Sequence, residues 1–233
     1  LHPRVRRQRQ MCIRDSIGTL INVFLQLFQH SIPDIFGIFA LPASFIRFFH
    51  QPWSIITYMF MHGGFSHIFF NMFAVFMFGT VLERTWGPKR FLFYYIVCGI
   101  GAGLIQEGVQ YIKYVVDYSH YSQVDIGTGI IPMGDFLNML TTVGASGAVY
   151  AILLAFGMLF PNNQLFIFPL PFPIKAKYFV IGYALIELYA GFANNPGDNV
   201  AHFAHLGGMI FGFILIMYCL LYTSPSPRDR SLS

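Results

Sequence analysis

Ser146, His205 and the pair His67/Asn71 are residues of types that do chemistry, set in otherwise apolar surroundings. Ser146 stands in Gly144-Ala-Ser146-Gly-Ala-Val-Tyr150, where a Gly-rich turn leads into an apolar run. A helix starting at or near Ser146 directs the N–H groups of its first turn towards whatever the serine attacks, and such donors stabilise a developing oxyanion. The plainer reading of Ser146 is a helix N-cap or a small packing residue. The pattern is not the G-x-S-x-G elbow, because position 148 is Ala and no strand precedes it.

A second cluster reads His62-Gly-Gly-Phe-Ser-His67-Ile-Phe-Phe-Asn71. His67 and Asn71 are four apart and share one helical face. The plain reading of the pair is that it joins helices by hydrogen bonding. The third cluster is Ala201-His202-Phe-Ala-His205-Leu-Gly-Gly208-Met-Ile-Phe-Gly212. His205, Gly208 and Gly212 fall at i, i+3 and i+7, so an imidazole and a G-x-x-x-G groove share one stripe that admits a close neighbour. Ser146, Tyr150, Leu153 and Gly157 form a comparable stripe on the serine helix. Packed together, the two stripes are expected to bring Ser146 to His205 and lay Tyr150 on the imidazole. His205 is preferred over His202 as the base because only His205 has glycines at i+3 and i+7; His202 lies one turn outward.

The elements that must hold these residues follow from composition. The chain has 233 residues, 55% hydrophobic and 10% charged, with 27 Phe, 13 Tyr and 10 Met, and a mean hydropathy of +0.57. A soluble domain carries about 25% charged residues, and a disordered chain is poor in aromatics. Both classes are excluded, leaving an all-α polytopic membrane protein. Six apolar stretches are expected to span, near Ile17–Phe28, Ser66–Leu82, Phe91–Tyr111, Ser146–Phe160, Tyr178–Phe192 and Val200–Leu221. Polar residues at membrane depth are costly and face a cavity or the bundle interior.

Orientation follows from positive charge. Arg84, Lys89 and Arg90 lie between spans two and three, and Lys175 and Lys177 before span five, whereas only Arg47 and Lys113 lie in the alternate loops. Loops after even-numbered spans, and both native termini, are therefore expected in the cytoplasm. The segment Pro33–Phe65 is then on the outer side and is expected to lie partly in the interface. Gly191–Asn199 has the composition of a mobile lid. The loop Tyr114–Thr142 is longer than the core requires, and neither it nor Pro161–Pro173 carries an assignable role.

His67-x-x-x-Asn71, Gly144-x-Ser146-Gly147 and Ala204-His205-x-x-Gly208, together with Glu83-Arg84-x-Trp86-Gly87 after the second span, resemble the motifs of the rhomboid intramembrane serine proteases. The resemblance covers about Ile17 to Tyr218. It implies a six-helix rhomboid bundle in which Ser146 is the nucleophile and His205 the base, a dyad without an aspartate. His67, Asn71 and the Ser146 N–H would form the oxyanion hole. Tyr150 would orient His205, and Gly144, Gly208, Gly212, His62 and His202 would support the site. The implied reaction is cleavage of transmembrane protein substrates near their outer ends, in the lipid bilayer, with no cofactor, metal or nucleic acid; the implied location is a bacterial inner membrane.

Three rivals remain open at this level. A catalytically inactive rhomboid-like binding factor would have lost Ser146 or His205, and both are present. A metalloenzyme could gather His62, His67, His202 and His205, but no H-E-x-x-H occurs and no carboxylate partners the His202/His205 pair in sequence. A channel or transporter would show interrupted helices and more charge along the spans.

The net charge of +4 and pI near 9.0 suggest an anionic partner until the ends are inspected. Met11-Cys-Ile-Arg-Asp-Ser16 back-translates to ATG TGT ATA AGA GAC AG, which resembles the end of a transposase-type sequencing adapter. Cys219-Leu-Leu-Tyr-Thr-Ser-Pro-Ser-Pro-Arg-Asp229 fits the reverse complement of the partner adapter. Residues 1–16 and 219–233 are therefore expected to be non-native, and 17–218 to be the membrane domain. That span holds seven Lys and Arg against eight Asp and Glu, a charge of −1, and Cys98 as its single cysteine. Raw reads across both junctions are expected to run into adapter at these boundaries; reads continuing into coding sequence would refute it.

Overall fold

The computed structural model describes residues 35–166, 172–193 and 200–220. The expected first span near Ile17–Phe28, the terminal segments 1–16 and 221–233, and residues 194–199 of the expected lid lie outside the described residues. The chain divides into two compact units, Leu1–Met77 with Gly103–Ser146, and Phe78–Ala102 with Gly147–Ser233. Helix dominates both.

The first unit begins with short pieces: α1 (Ile35–Phe39), β1 (Leu41–Pro42), α2 (Phe45–His50) and α3 (Ser54–Thr57), the last running into a 3₁₀ turn at Tyr58–Phe60. Side chains tie them to backbone carbonyls. Trp53 Nε1 donates to Ile38 O at 2.9 Å and Thr57 Oγ1 to Phe39 O at 2.7 Å. The Arg47 guanidinium donates to Asn138 O at 2.9 Å and to Gly37 O. These bonds satisfy carbonyls that short helices leave without intrahelical donors. Ile46 and Phe49 are left exposed, as an interfacial segment requires.

The helix α4 (Phe65–Ala74) follows, then, after a π turn at Val75–Gly79, α5 (Thr80–Trp86). The stretch Phe65–Trp86 is long and apolar enough to cross a membrane, as is Pro88–Tyr118, which contains α6 (Pro88–Lys113). Gly87, at φ +82°, separates them with its N–H bonded to Glu83 O at 2.8 Å. This is a left-handed glycine C-cap with proline opening the next helix.

The long segment after α6 carries elements of its own. It holds the hairpin β2 (Gln123–Asp125) and β3 (Ile130–Pro132), then α7 (Met133–Met139) and β4 (Thr141–Thr142). Asp125 Oδ1 accepts from Gly127 N at 2.8 Å in the hairpin turn, and Tyr118 packs edge-on to Phe136. β4 pairs antiparallel with β1, Leu41 opposite Thr142 and Pro42 opposite Thr141. The segment entering the serine turn is thus fastened to the first described residues.

The second unit is built on α8 (Ser146–Leu159, entering it at Gly147), α9 (Ala176–Ala193) and α10 (His202–Leu215), with the start of α6 beside them. β5 (Gln164–Leu165) and β6 (Ile174–Lys175) close the α8–α9 connection. A Cβ on Gly208 would run into the Gly147 carbonyl, and one on Gly212 would lie 3.1 Å from Ala151 Cβ. The groove on α10 is therefore used, but its partner stripe is Gly147 and Ala151. Gly157, expected to face α10, packs against Val180 and Ala176 O of α9. The smallest side chains set the line of closest backbone approach, which turns the stripe by one residue. Leu153, Val180 and Met209 form the apolar centre. Tyr94 donates to Ala151 O at 2.8 Å and stacks edge-on with Trp86.

Two carboxylate residues are buried within the helices, Glu107 in α6 and Glu187 in α9, at 4% and 6% exposure. Gly208→Ala is expected to destabilise the protein by about 1–3 kcal/mol, because neither backbone can yield without moving a helix. Gly182→Ala, where an added Cβ meets nothing within 4 Å, is expected to be neutral or stabilising by up to about 1 kcal/mol. Thermal unfolding of both variants in detergent checks the contrast.

Candidate active site

In the first unit the serine turn is built from both sides. Gly144 N donates to Tyr58 O at 2.9 Å, and Gln110 Nε2 to Thr142 Oγ1 at 3.1 Å. Gly144 has φ +125°, a backbone state that favours glycine. A Cβ there would also lie 2.7 Å from His67 Nε2 and 3.6 Å from Ser146 Oγ. Glycine is required twice, for its conformation and because the His67 ring occupies the space. Ser146 is the first residue of α8, and a helix offers the N–H groups of its first turn no acceptor of its own.

His67 Nδ1 accepts from Gly63 N at 3.3 Å. A neutral imidazole has one N–H, so this bond puts the proton on Nε2, the atom beside Gly144. His67 therefore presents a donor to the serine turn. One helical turn on, Asn71 is buried, and its Nδ2 makes no hydrogen bond among the described residues. A buried amide N–H in that state is costly, and any incoming acceptor would relieve the cost.

His62 lies just before α4, 2% exposed, its ring edge-on to His67 with centroids 5.1 Å apart. Burial, then the neighbouring His67, hold its pKa down to about 4 against an opposing hydrogen bond with the Phe60 backbone. His62 is thus a neutral wall behind His67.

In the second unit His205 is 7% exposed on α10. Tyr150 lies flat on its imidazole, with centroids 4.2 Å apart and planes 9° from parallel. His202, one turn earlier, stands edge-on to His205 at 6.3 Å. Gly147, the residue after Ser146, is in contact with Ala204 O and Gly208, which flank His205 on α10.

Glu187 is the residue that sequence reasoning missed. Its Oε2 lies 2.9 Å from His205 Nδ1 and 2.6 Å from His202 Nδ1, and the Tyr150 hydroxyl donates to its Oε1. The expectation that no carboxylate partners the two histidines is therefore wrong: it arrives from α9, 15 and 18 residues away in sequence. The signal was a single ionisable residue inside an apolar run, which marks a functional position by default. The three donor atoms lie within 4.8 Å of one another. Separations of 2.6 and 2.9 Å are those of charge-assisted hydrogen bonds, shorter than the roughly 3.3 Å between neighbouring ligands on tetrahedral zinc.

Residues 50–222 match the model of the Rhomboid domain. The chain belongs to the rhomboid family. Rhomboid protease AarA of Providencia stuartii is 31% identical over 174 residues, covering 72% of this chain and 57% of AarA. Rhomboid protease GluP of Bacillus subtilis is 30% identical over 162 residues, or 69% of this chain and 25% of GluP. RHOMBOID-like protein 12, mitochondrial, of Arabidopsis thaliana is 29% identical over 160 residues, or 66% of this chain and 43% of that protein. The chain thus spans about half or less of these curated relatives. Membership makes this rhomboid an integral membrane protein of a family that includes proteases.

His62 generates a pH prediction. Its folded pKa of about 4 lies below the ordinary 6.5, so between these values the unfolded chain binds more protons. The His62 contribution is complete above about pH 6.5 and is lost as pH falls towards about 4. The unfolding temperature in detergent is expected to drop over that window, and to drop less in His62→Gln. Parallel curves for the two proteins would refute it.

Proposed function

We propose that this rhomboid is an intramembrane serine endopeptidase in which Ser146 and His205 form the catalytic pair. The observation that carries this reading is the Gly63 N–H bonded to His67 Nδ1, with the other ring nitrogen, Nε2, set against the Gly144–Ser146 turn; we infer from that bond that Nε2 carries the proton. A donor aimed beside a serine at a helix start has a ready use in stabilising the oxyanion of acyl transfer. The buried Asn71 amide and the Ser146 N–H complete the proposed hole.

Ser146 Oγ attacks the scissile carbonyl while His205 Nε2 takes its proton. The tetrahedral oxyanion is held by the Ser146 N–H, His67 Nε2–H and Asn71 Nδ2–H. Collapse expels the amine, which receives the proton from His205, and water then releases the acyl group by the same steps. Tyr150 restrains the His205 ring, and His62 backs His67. Gly144, Gly208 and Gly212 provide room, and His202 lies one turn outward.

The substrates in this reading are transmembrane helices, opened near their outer ends because a closed helix hides its carbonyls. The protein would cross a bacterial inner membrane six times, with native termini in the cytoplasm and residues 17–218 as the membrane domain. It would need no metal or other cofactor.

Labelling by a fluorophosphonate probe in detergent tests the assignment. Wild type is expected to label, Ser146→Ala not at all, and His205→Ala at least about 10²-fold more slowly. Persistent labelling of Ser146→Ala would overturn it. Asn71→Ala is expected to lower turnover of a transmembrane substrate by about 10–100-fold with little change in KM, since the lost bond forms mainly in the transition state.

A further inference from the structure

We propose that Glu187 is a positioning residue for the reaction, a carboxylate that sets the tautomer and orientation of His205 and makes the pair a triad. This deepens the protease reading and rests on it. Glu187 is 6% exposed in α9, among residues such as Leu185 and Ile186 that face outward. An ionised carboxylate in such a place is costly unless its oxygens are bonded. Here they are: Oε2 takes His205 Nδ1 and His202 Nδ1, and Oε1 takes the Tyr150 hydroxyl.

The bond to His205 decides where its proton sits. A bare Nδ1 lone pair 2.9 Å from a carboxylate oxygen would be repelled, so Nδ1 carries the hydrogen and Nε2 the lone pair. A base that takes the serine proton at Nε2 needs this tautomer. When that proton arrives, the imidazolium forms beside a fixed negative charge, Nδ1 keeps its own hydrogen and Glu187 stays ionised.

Tyr150 performs two tasks in the same loop of contacts. Its ring covers one face of His205, which limits tilting, and its hydroxyl holds the second carboxylate oxygen. Rotation of the imidazole in its own plane is limited by Nδ1 and Glu187. His202 donates to the oxygen that serves His205, which keeps the carboxylate rotamer in place. Among the described residues of this unit, the titratable groups bonded to or stacked on His205 and Glu187 include Tyr150 from α8 and His202 from α10. Tyr183 of α9 lies behind Tyr150 at 6.1 Å between rings.

The test uses the full chain in detergent and the rate of fluorophosphonate labelling from pH 5 to 9. Glu187→Gln is expected to label roughly 10²-fold more slowly than wild type. The midpoint of its acid limb should move to lower pH, because the imidazolium has lost its counter-charge. Glu187→Asp, which restores the charge, is expected to recover part of the rate and to move the midpoint back. A folded Glu187→Gln that labels within about twofold of wild type with an unmoved midpoint would overturn the proposal.

Histidine-selective ¹⁵N NMR of Ser146→Ala decides the matter even if the Glu187 variants do not fold. His205 protonated at Nδ1 is expected, and a neutral His205 protonated at Nε2 would overturn the role of Glu187. A wild-type chain that labels no faster than Ser146→Ala overturns the protease reading itself, and the triad with it. Labelled wild type with an indifferent Glu187→Gln removes only the triad.

Discussion

Within the second unit, the arrangement depends on keeping one negative charge inside an apolar bundle. Glu187 cannot be held there without donors, and it draws one from α8, Tyr150, and two from α10, His202 and His205. Three helices are therefore fastened at one point by charge-assisted bonds, in surroundings where an unbonded carboxylate would cost several kcal/mol. The close approach of α8 and α10 at Gly147 and Gly208 is what lets a short Tyr150–His205 stack and a short His205–Glu187 bond coexist. Bulkier residues on that line would separate the helices and lengthen both.

The first unit answers to a different constraint, the path of the backbone into Ser146. A left-handed glycine, a bond to Tyr58 O and the pairing of β4 with β1 fix that path. The His67 ring fills the space that Gly144 leaves, and the Gly63 N–H settles which of its nitrogens donates. His62, buried and neutral, closes the far side. Polar groups here are arranged by local turns and not by buried charge.

Much of this was legible in the residues. The pairs His67/Asn71 and His202/His205, the helix start at Ser146 and the apolar runs are short-range patterns, and the described helices follow the five runs that lie among the described residues to within a few residues. The long segment after α6 was different. Its hairpin and short helix are marginal alone and are ordered by contacts such as Tyr118 with Phe136 and Arg47 with Asn138 O. Sequence inspection also read the serine-helix stripe one residue out of place, because size at the contact, and not the apolar period, decides where two backbones meet.

The sequence by itself determined helix, membrane class and the identities of the motif residues, since these depend on composition and on neighbours three or four positions apart. It also determined that the glycines of α10 would face a helix. Only the tertiary structure decided that Gly147 and Ala151 are the partners of those glycines and that Glu187 closes on His205. The physical reason is the same in both cases. Residues 18 or 61 positions apart have no spacing rule connecting them, and their contact exists only once packing has chosen which faces of α8, α9 and α10 meet.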